Sequence, residues 1–169
     1  MQKITPFLWF DKEAEEAINF YVSVFNGNPA KKTESKIVTI KRYPTGMQEE
    51  HMKNMEGKVL TGVFELEGQT YMVLDGGPHF KFNESFSLLV DCKNQEEIDY
   101  FWNAFTKDGG QESQCGWLKD KYGMSWQIAP DMTKWLGTPD SEKSNKAMQA
   151  MLKMKKIVIA DLEKAYNQE

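Results

Sequence analysis

The chain reads as an α+β protein built twice on one pattern: two β-α-β-β-β modules, each with its helix on one sheet face, followed by a helical extension. Three observations predict this. A short apolar run ending in Asp leads into an amphipathic helix near the start, and the same pattern returns about 80 residues later. Each helix precedes strand-like runs broken at hairpin turns. After Pro130 the periodicity becomes wholly helical. The boundaries that follow are 1–82 for the first module, 83–130 for a second, shortened module and 131–169 for the tail, within one structural domain.

Phe7-Leu8-Trp9-Phe10 forms the first strand and stops at Asp11. In the next segment, positions 14, 17, 18, 21, 22 and 25 are apolar at helical spacing. Asp11 is the expected N-cap, early glutamates suit the positive end of the helix dipole, and Asn26-Gly27 ends the helix. Glu34 to Tyr43, Lys58 to Leu66 and Gln69 to Leu74 read as strands, the last two joined at Glu67-Gly68. Between them, residues 44–57 are polar with three methionines and read as a loop.

The second module opens with Ser85-Phe86-Ser87-Leu88-Leu89-Val90-Asp91 as a strand. Asn94-Gln95-Glu96-Glu97 reads as a capping box. Ile98, Phe101, Trp102 and Phe105 then fall at i, i+3, i+4 and i+7. Gly109-Gly110 ends that helix. Gln111 to Cys115 supplies a short strand, and Lys121-Tyr122-Gly123 joins Trp117–Asp120 to Met124–Ile128 as a hairpin. A single tail helix is expected from Asp140 to Tyr166. Its stripe is Ala147, Met151, Met154, Val158 and Ala165, widened by Met148, Leu152, Ile159 and Leu162. That broad apolar face suits docking on the domain or on a second subunit, so a homodimer is expected.

Composition excludes several classes. With 21 Lys+Arg against 25 Asp+Glu the net charge is −4, the wrong sign for a nucleic-acid face, and no basic cluster exceeds Lys155-Lys156. No apolar run approaches the roughly 18 residues of a membrane span. The N-terminus lacks the charged and apolar regions of a secretion signal, so the cytoplasm is the expected address. Cys92 and Cys115 are too few for a disulfide framework and too far apart for a metal clip.

Reaction motifs are absent: no phosphate-binding glycine loop, no nucleophile elbow, no His-Glu-x-x-His. His51, between glutamates and methionines, reads as a solvated surface residue. In Leu74-Asp75-Gly76-Gly77-Pro78-His79, Asp75 could orient His79 as a general base. Strand alternation puts Ser85, Ser87 and Leu89 on one face and Phe86, Leu88 and Val90 on the other. Ser125 and Gln127 separate likewise from Met124, Trp126 and Ile128. The polar set either faces water or lines a site, with Trp9, Trp117 and Trp126 as candidate apolar walls.

Three stretches carry a family resemblance: Ile4-Thr5-Pro6-Phe7-Leu8-Trp9-Phe10-Asp11 with the following Ala14-Glu15-Glu16-Ala17 and Phe20-Tyr21; Leu74-Asp75-Gly76-Gly77-Pro78; and Cys115-Gly116-Trp117 through Gln127-Ile128. Together they resemble the PhnB-like branch of the glyoxalase/bleomycin-resistance (vicinal oxygen chelate) superfamily, whose members are often labelled 3-demethylubiquinone methyltransferase-like. The resemblance implies paired modules curving into a cup, commonly in a homodimer. It also implies a small, aromatic or quinone-like ligand. Metal-using relatives take His and Glu ligands from the first and last strands of each module. The matching positions here are Thr5 or Pro6, Met72 or Leu74 with Asp75 beyond, Ser85, and Gln127, which bind Zn²⁺ or Mn²⁺ poorly. No cofactor is therefore expected, and a divalent metal would need a non-standard ligand set.

Two functions follow. One is a binding protein holding a small molecule with Trp9, Ser85, Ser87, Trp117, Ser125 and Gln127. The other is an enzyme of this superfamily using Asp75 and His79 for acid–base chemistry.

Overall fold

The computed structural model describes residues 2–47, 49–137 and 141–168; the side chains of His51 and Lys53, and Asp140 at the expected start of the tail helix, lie outside that description. Two compact units result, Met1–Phe82 and Asn83–Glu169. The first contains β1 (Phe7–Phe10), α1 (Ala14–Gly27), β2 (Lys36–Arg42), β3 (Val59–Leu66) and β4 (Gln69–Asp75). The second contains β5 (Leu88–Asp91), α2 (Gln95–Thr106), β6 (Gln111–Glu112), β7 (Trp117–Lys119) and β8 (Ser125–Ala129), then α3 (Thr133–Leu136), α4 (Glu142–Met151) and α5 (Ile159–Asn167).

The sheets share one topology. Strand order is β1-β4-β3-β2 in the first unit and β5-β8-β7-β6 in the second. In each, the first and last strands pair in parallel and the remaining pairs are antiparallel. The β3–β4 hairpin turns at Glu67 (φ 48°) and Gly68 (φ 84°), two left-handed residues of the kind a two-residue hairpin loop requires.

One helix covers one face of each sheet. Ala14, Ala17, Ile18, Tyr21, Val24 and Phe25 of α1 are buried, as are Leu8, Phe10, Phe64 and Val73 of the strands. The ring of Tyr21 stacks on that of Phe64 at 6.4 Å. In the second unit Ile98, Phe101, Trp102 and Phe105 are buried, and Phe105 stacks on Trp126 at 4.4 Å. Each buried Val, Leu, Ile or Phe among them contributes about 1.5–3 kcal/mol by leaving water, and each alanine methyl about 0.8 kcal/mol.

The helix starts differ from one another. The expected cap at α2 forms, since Asn94 Oδ1 accepts from Glu97 N at 2.9 Å; the reciprocal bond of a capping box is shifted by one residue, Glu97 Oε2 accepting from Lys93 N at 2.8 Å. Asp11, expected to cap α1, does not. That helix begins at Ala14, and its first N–H donates to Asp75 Oδ1 at 2.8 Å, across 61 residues of chain. A carboxylate at the end of β4 thus replaces the local cap.

The expected single tail helix is two helices. Residues 152–158 leave the helix because their backbone finds partners elsewhere. Cys115 N donates to Met154 O and Gly116 N to Lys155 O, at 2.8 and 2.7 Å. The side chain of Gln95 donates to Ile157 O and accepts from Ile159 N. Ile157 is buried there. No described helix is long and apolar enough to cross a membrane.

Candidate functional site

Register decides which residues share a face in the second unit. Trp117 pairs with Gln127 and Lys119 with Ser125, so these four lie on the face away from α2. Leu118, Trp126 and Ile128 alternate to the helix side and are buried. Leu89, opposite Gln127, shares the far face and is 62% exposed. The expected division is therefore present for Leu89, Ser125 and Gln127 against Leu88, Val90, Trp126 and Ile128, while Ser85, Phe86 and Ser87 precede β5.

A pocket of about 490 Å³ is lined by Gln111, Trp117, Lys119 and Ser125 of this far face, and also by Glu84, Cys115 and Leu118. Its volume falls in the range of small-molecule sites. Lys119 pairs with Glu84, and the lysine's hydrogen bond holds the Glu84 carboxyl below its ordinary value. Ser125 is 1% exposed, and its hydroxyl has no hydrogen-bond partner. A buried hydroxyl left unpaired costs about 1–3 kcal/mol; Thr61, Trp135 and Ser144 also carry buried polar atoms without a partner, and of these four residues Ser125 alone lines this pocket or that of the first unit. Beside the pocket, Gln127 Nε2 donates to Ser87 Oγ at 2.9 Å.

Two residues depart from expectation. Ser85 is exposed in a turn, donating its N–H to Asn83 Oδ1, because β5 begins only at Leu88. Trp126 is core rather than wall: its indole N–H donates to the buried Asp120 at 2.8 Å.

The cysteines differ in their surroundings. Burial, reinforced by the charges of Glu97 and Asp91, pushes the Cys92 thiol up to about 12. Cys115 is half-buried and lines the pocket. Iodoacetamide at pH 8 is expected to label Cys115 in the folded protein and Cys92 only after unfolding, as peptide mass spectrometry would show.

The first unit has its own pocket, about 460 Å³, lined among others by Trp9, Tyr43, Met55, Lys58, Gly77 and His79. Asp75, at the end of β4, is 1% exposed and is not part of that lining. The expected Asp75–His79 hydrogen bond does not form, because both carboxylate oxygens accept backbone N–H groups, from Ala14 at 2.8 Å and Val59 at 2.9 Å. His79 is exposed in the following loop. The Tyr43 hydroxyl donates to Asp75 O at 3.0 Å.

Among the described residues no three His, Cys, Asp or Glu side chains cluster as metal ligands. The positions that the resemblance would assign to metal ligands hold Thr5 or Pro6, Met72 or Leu74, Ser85 and Gln127, which offer hydroxyl, thioether, alkyl and amide groups; Asp75 lies just beyond, with both carboxylate oxygens already accepting backbone N–H groups. That donor set does not fit Zn²⁺ or Mn²⁺.

The 3-demethylubiquinone-9 3-methyltransferase family matches residues 2–129. The chain belongs to that family. Within it, the PhnB protein from Bacillus cereus is 37% identical, the match covering 76% of this chain and 99% of that one with a TM-score of 0.63. A protein from Pseudomonas aeruginosa shares the fold at 16% identity, over 75% of this chain and 95% of its own, with a TM-score of 0.57. A variant of the fosfomycin resistance protein FosX from Listeria monocytogenes, in complex with Mn(II) and a dihydroxypropylphosphonic acid, matches at 11% identity, over 82% and 99% of the two chains, with a TM-score of 0.49. No curated protein matches the sequence. The chain is thus PhnB-like, within the 3-demethylubiquinone-9 3-methyltransferase family.

For this PhnB-like chain, sequence reasoning missed Gln111, Cys115 and Lys119 as pocket residues. The signal was available for Lys119, two residues from Trp117 and therefore on the same strand face. Gln111 and Cys115 lie at the sheet edge, where alternation is too short to read.

Proposed function

We propose that this PhnB-like protein binds a small, partly apolar molecule, aromatic or quinone-like, on the far face of the second unit's sheet, without a side-chain metal cage. The observation that carries the reading is the Ser125 hydroxyl, buried and unpartnered in the lining of a pocket walled by Trp117. A ligand oxygen or nitrogen would supply the missing hydrogen bond once the hydroxyl rotates toward the pocket, while the indole supplies apolar surface. Gln111 and Lys119 add polar contacts that fix orientation. Acid–base chemistry through Asp75 gains no support, since both its oxygens already accept backbone N–H groups.

Native mass spectrometry of protein purified without chelator, with metal analysis, tests this. The expected result is an organic adduct released on denaturation and lost in Trp117→Ala. Stoichiometric divalent metal that disappears in His79→Ala would overturn it.

The second partner is another copy of this chain, through the tail, where Met148 (38%) and Leu152 (59%) are exposed. Light scattering at micromolar concentration is expected to give the mass of two chains; a single-chain mass contradicts it.

A further inference from the structure

The first unit's pocket has a charge opposite in sign to the chain. The protein carries −4 overall, yet among the described residues this pocket is lined by Lys12, Lys58 and His79 against one carboxylate, Asp11. Two ammonium groups less one carboxylate leave +1 even with His79 neutral. Among the described residues neither lysine is in an ion pair. Their charge is available to a ligand.

Beside these cations stands a fixed apolar wall. Trp9 donates its indole N–H to Gly77 O at 2.9 Å and meets Phe80 edge to face at 4.9 Å. Gly76 lies so close beneath it that an added Cβ would sit 2.1 Å from the ring. Met55, buried, continues the wall. A wall held this way needs no ordering when a ligand arrives. Uncompensated cations beside a preformed apolar surface select a molecule with a flat apolar body and a negative end, which the lysines meet by charge-assisted hydrogen bonds.

We propose that this pocket binds a small aromatic carboxylate, with Lys12 and Lys58 supplying the charge and Trp9 with Met55 the apolar wall. It shares no residue with the second unit's pocket, so either site can fail without the other.

Indole ¹⁵N NMR tests the proposal, with benzoate as probe and benzamide as its uncharged counterpart. Single Trp→Phe variants assign the Trp9 and Trp117 signals. Benzoate is expected to shift the Trp9 signal saturably and to bind at least about tenfold more tightly than benzamide. Lys12→Gln combined with Lys58→Gln should reduce benzoate to the benzamide level. Asp11→Asn should tighten benzoate by about two- to threefold. The lysines are at the surface, so the double variant is expected to fold, and an unperturbed Trp9 signal in the free protein checks it. Equal binding of the two probes, undiminished benzoate affinity in the folded double variant, or no shift at Trp9 would each overturn the proposal.

Discussion

Asp75→Ala is expected to lose about 3–5 kcal/mol of folding stability, lowering the melting temperature by about 10 °C. The carboxylate is buried at the end of β4 and ties three elements together, accepting from the first N–H of α1 and from Val59 at the start of β3. Alanine removes two charge-assisted hydrogen bonds and leaves two buried N–H groups without acceptors. Asp75→Asn keeps one acceptor but turns an NH₂ toward the other donor, so it is expected to recover less than half the loss. Thermal unfolding followed by circular dichroism measures both. An unchanged melting temperature would show that the carboxylate does not support the fold.

Asp120→Ala is the counterpart in the second unit. One oxygen of this buried side chain accepts from Tyr122 N and Met124 N, at 2.9 and 3.1 Å, and the other from the Trp126 indole at 2.8 Å. It closes the β7–β8 turn and fixes the aromatic ring on which Phe105 stacks. The loss is again about 3–5 kcal/mol, with a change in near-ultraviolet circular dichroism as the indole loses its fixed setting. Asparagine retains the acceptor for the backbone donors, an arrangement turns commonly use, and is expected to cost less than alanine. Equal effects of the two substitutions would contradict this division of roles.

Elements built from local pattern were legible in the sequence. Both module helices, their buried stripes and the Asn94–Glu97 cap follow from spacing within a few residues, and they are found in place except that Val24 rather than Val22 completes the stripe of α1. The polar face of β8 was legible for the same reason, since alternation alone separates Ser125 and Gln127 from Trp126 and Ile128. What was not legible depends on long-range backbone partners. Asp75 caps a helix 61 residues away, a relation that no window along the chain contains, and the local candidate Asp11 took its place. The tail reads as one helix because its periodicity runs unbroken. It divides because Cys115, Gly116 and Gln95 bind its backbone from elsewhere in the unit. Ser85 missed its strand because β5 pairs only from Leu88, where β8 offers partners.

Ser125→Ala separates the functional account from a structural one, because the two predict opposite signs. If the hydroxyl awaits a ligand, deleting it removes an unpaired buried group, so the free protein should be as stable as the parent or gain up to about 1–2 kcal/mol. The same variant should lose its bound molecule when purified. A lower melting temperature together with an undiminished organic adduct would mean that Ser125 serves only packing, and that the pocket beside Trp117 is not where the molecule sits.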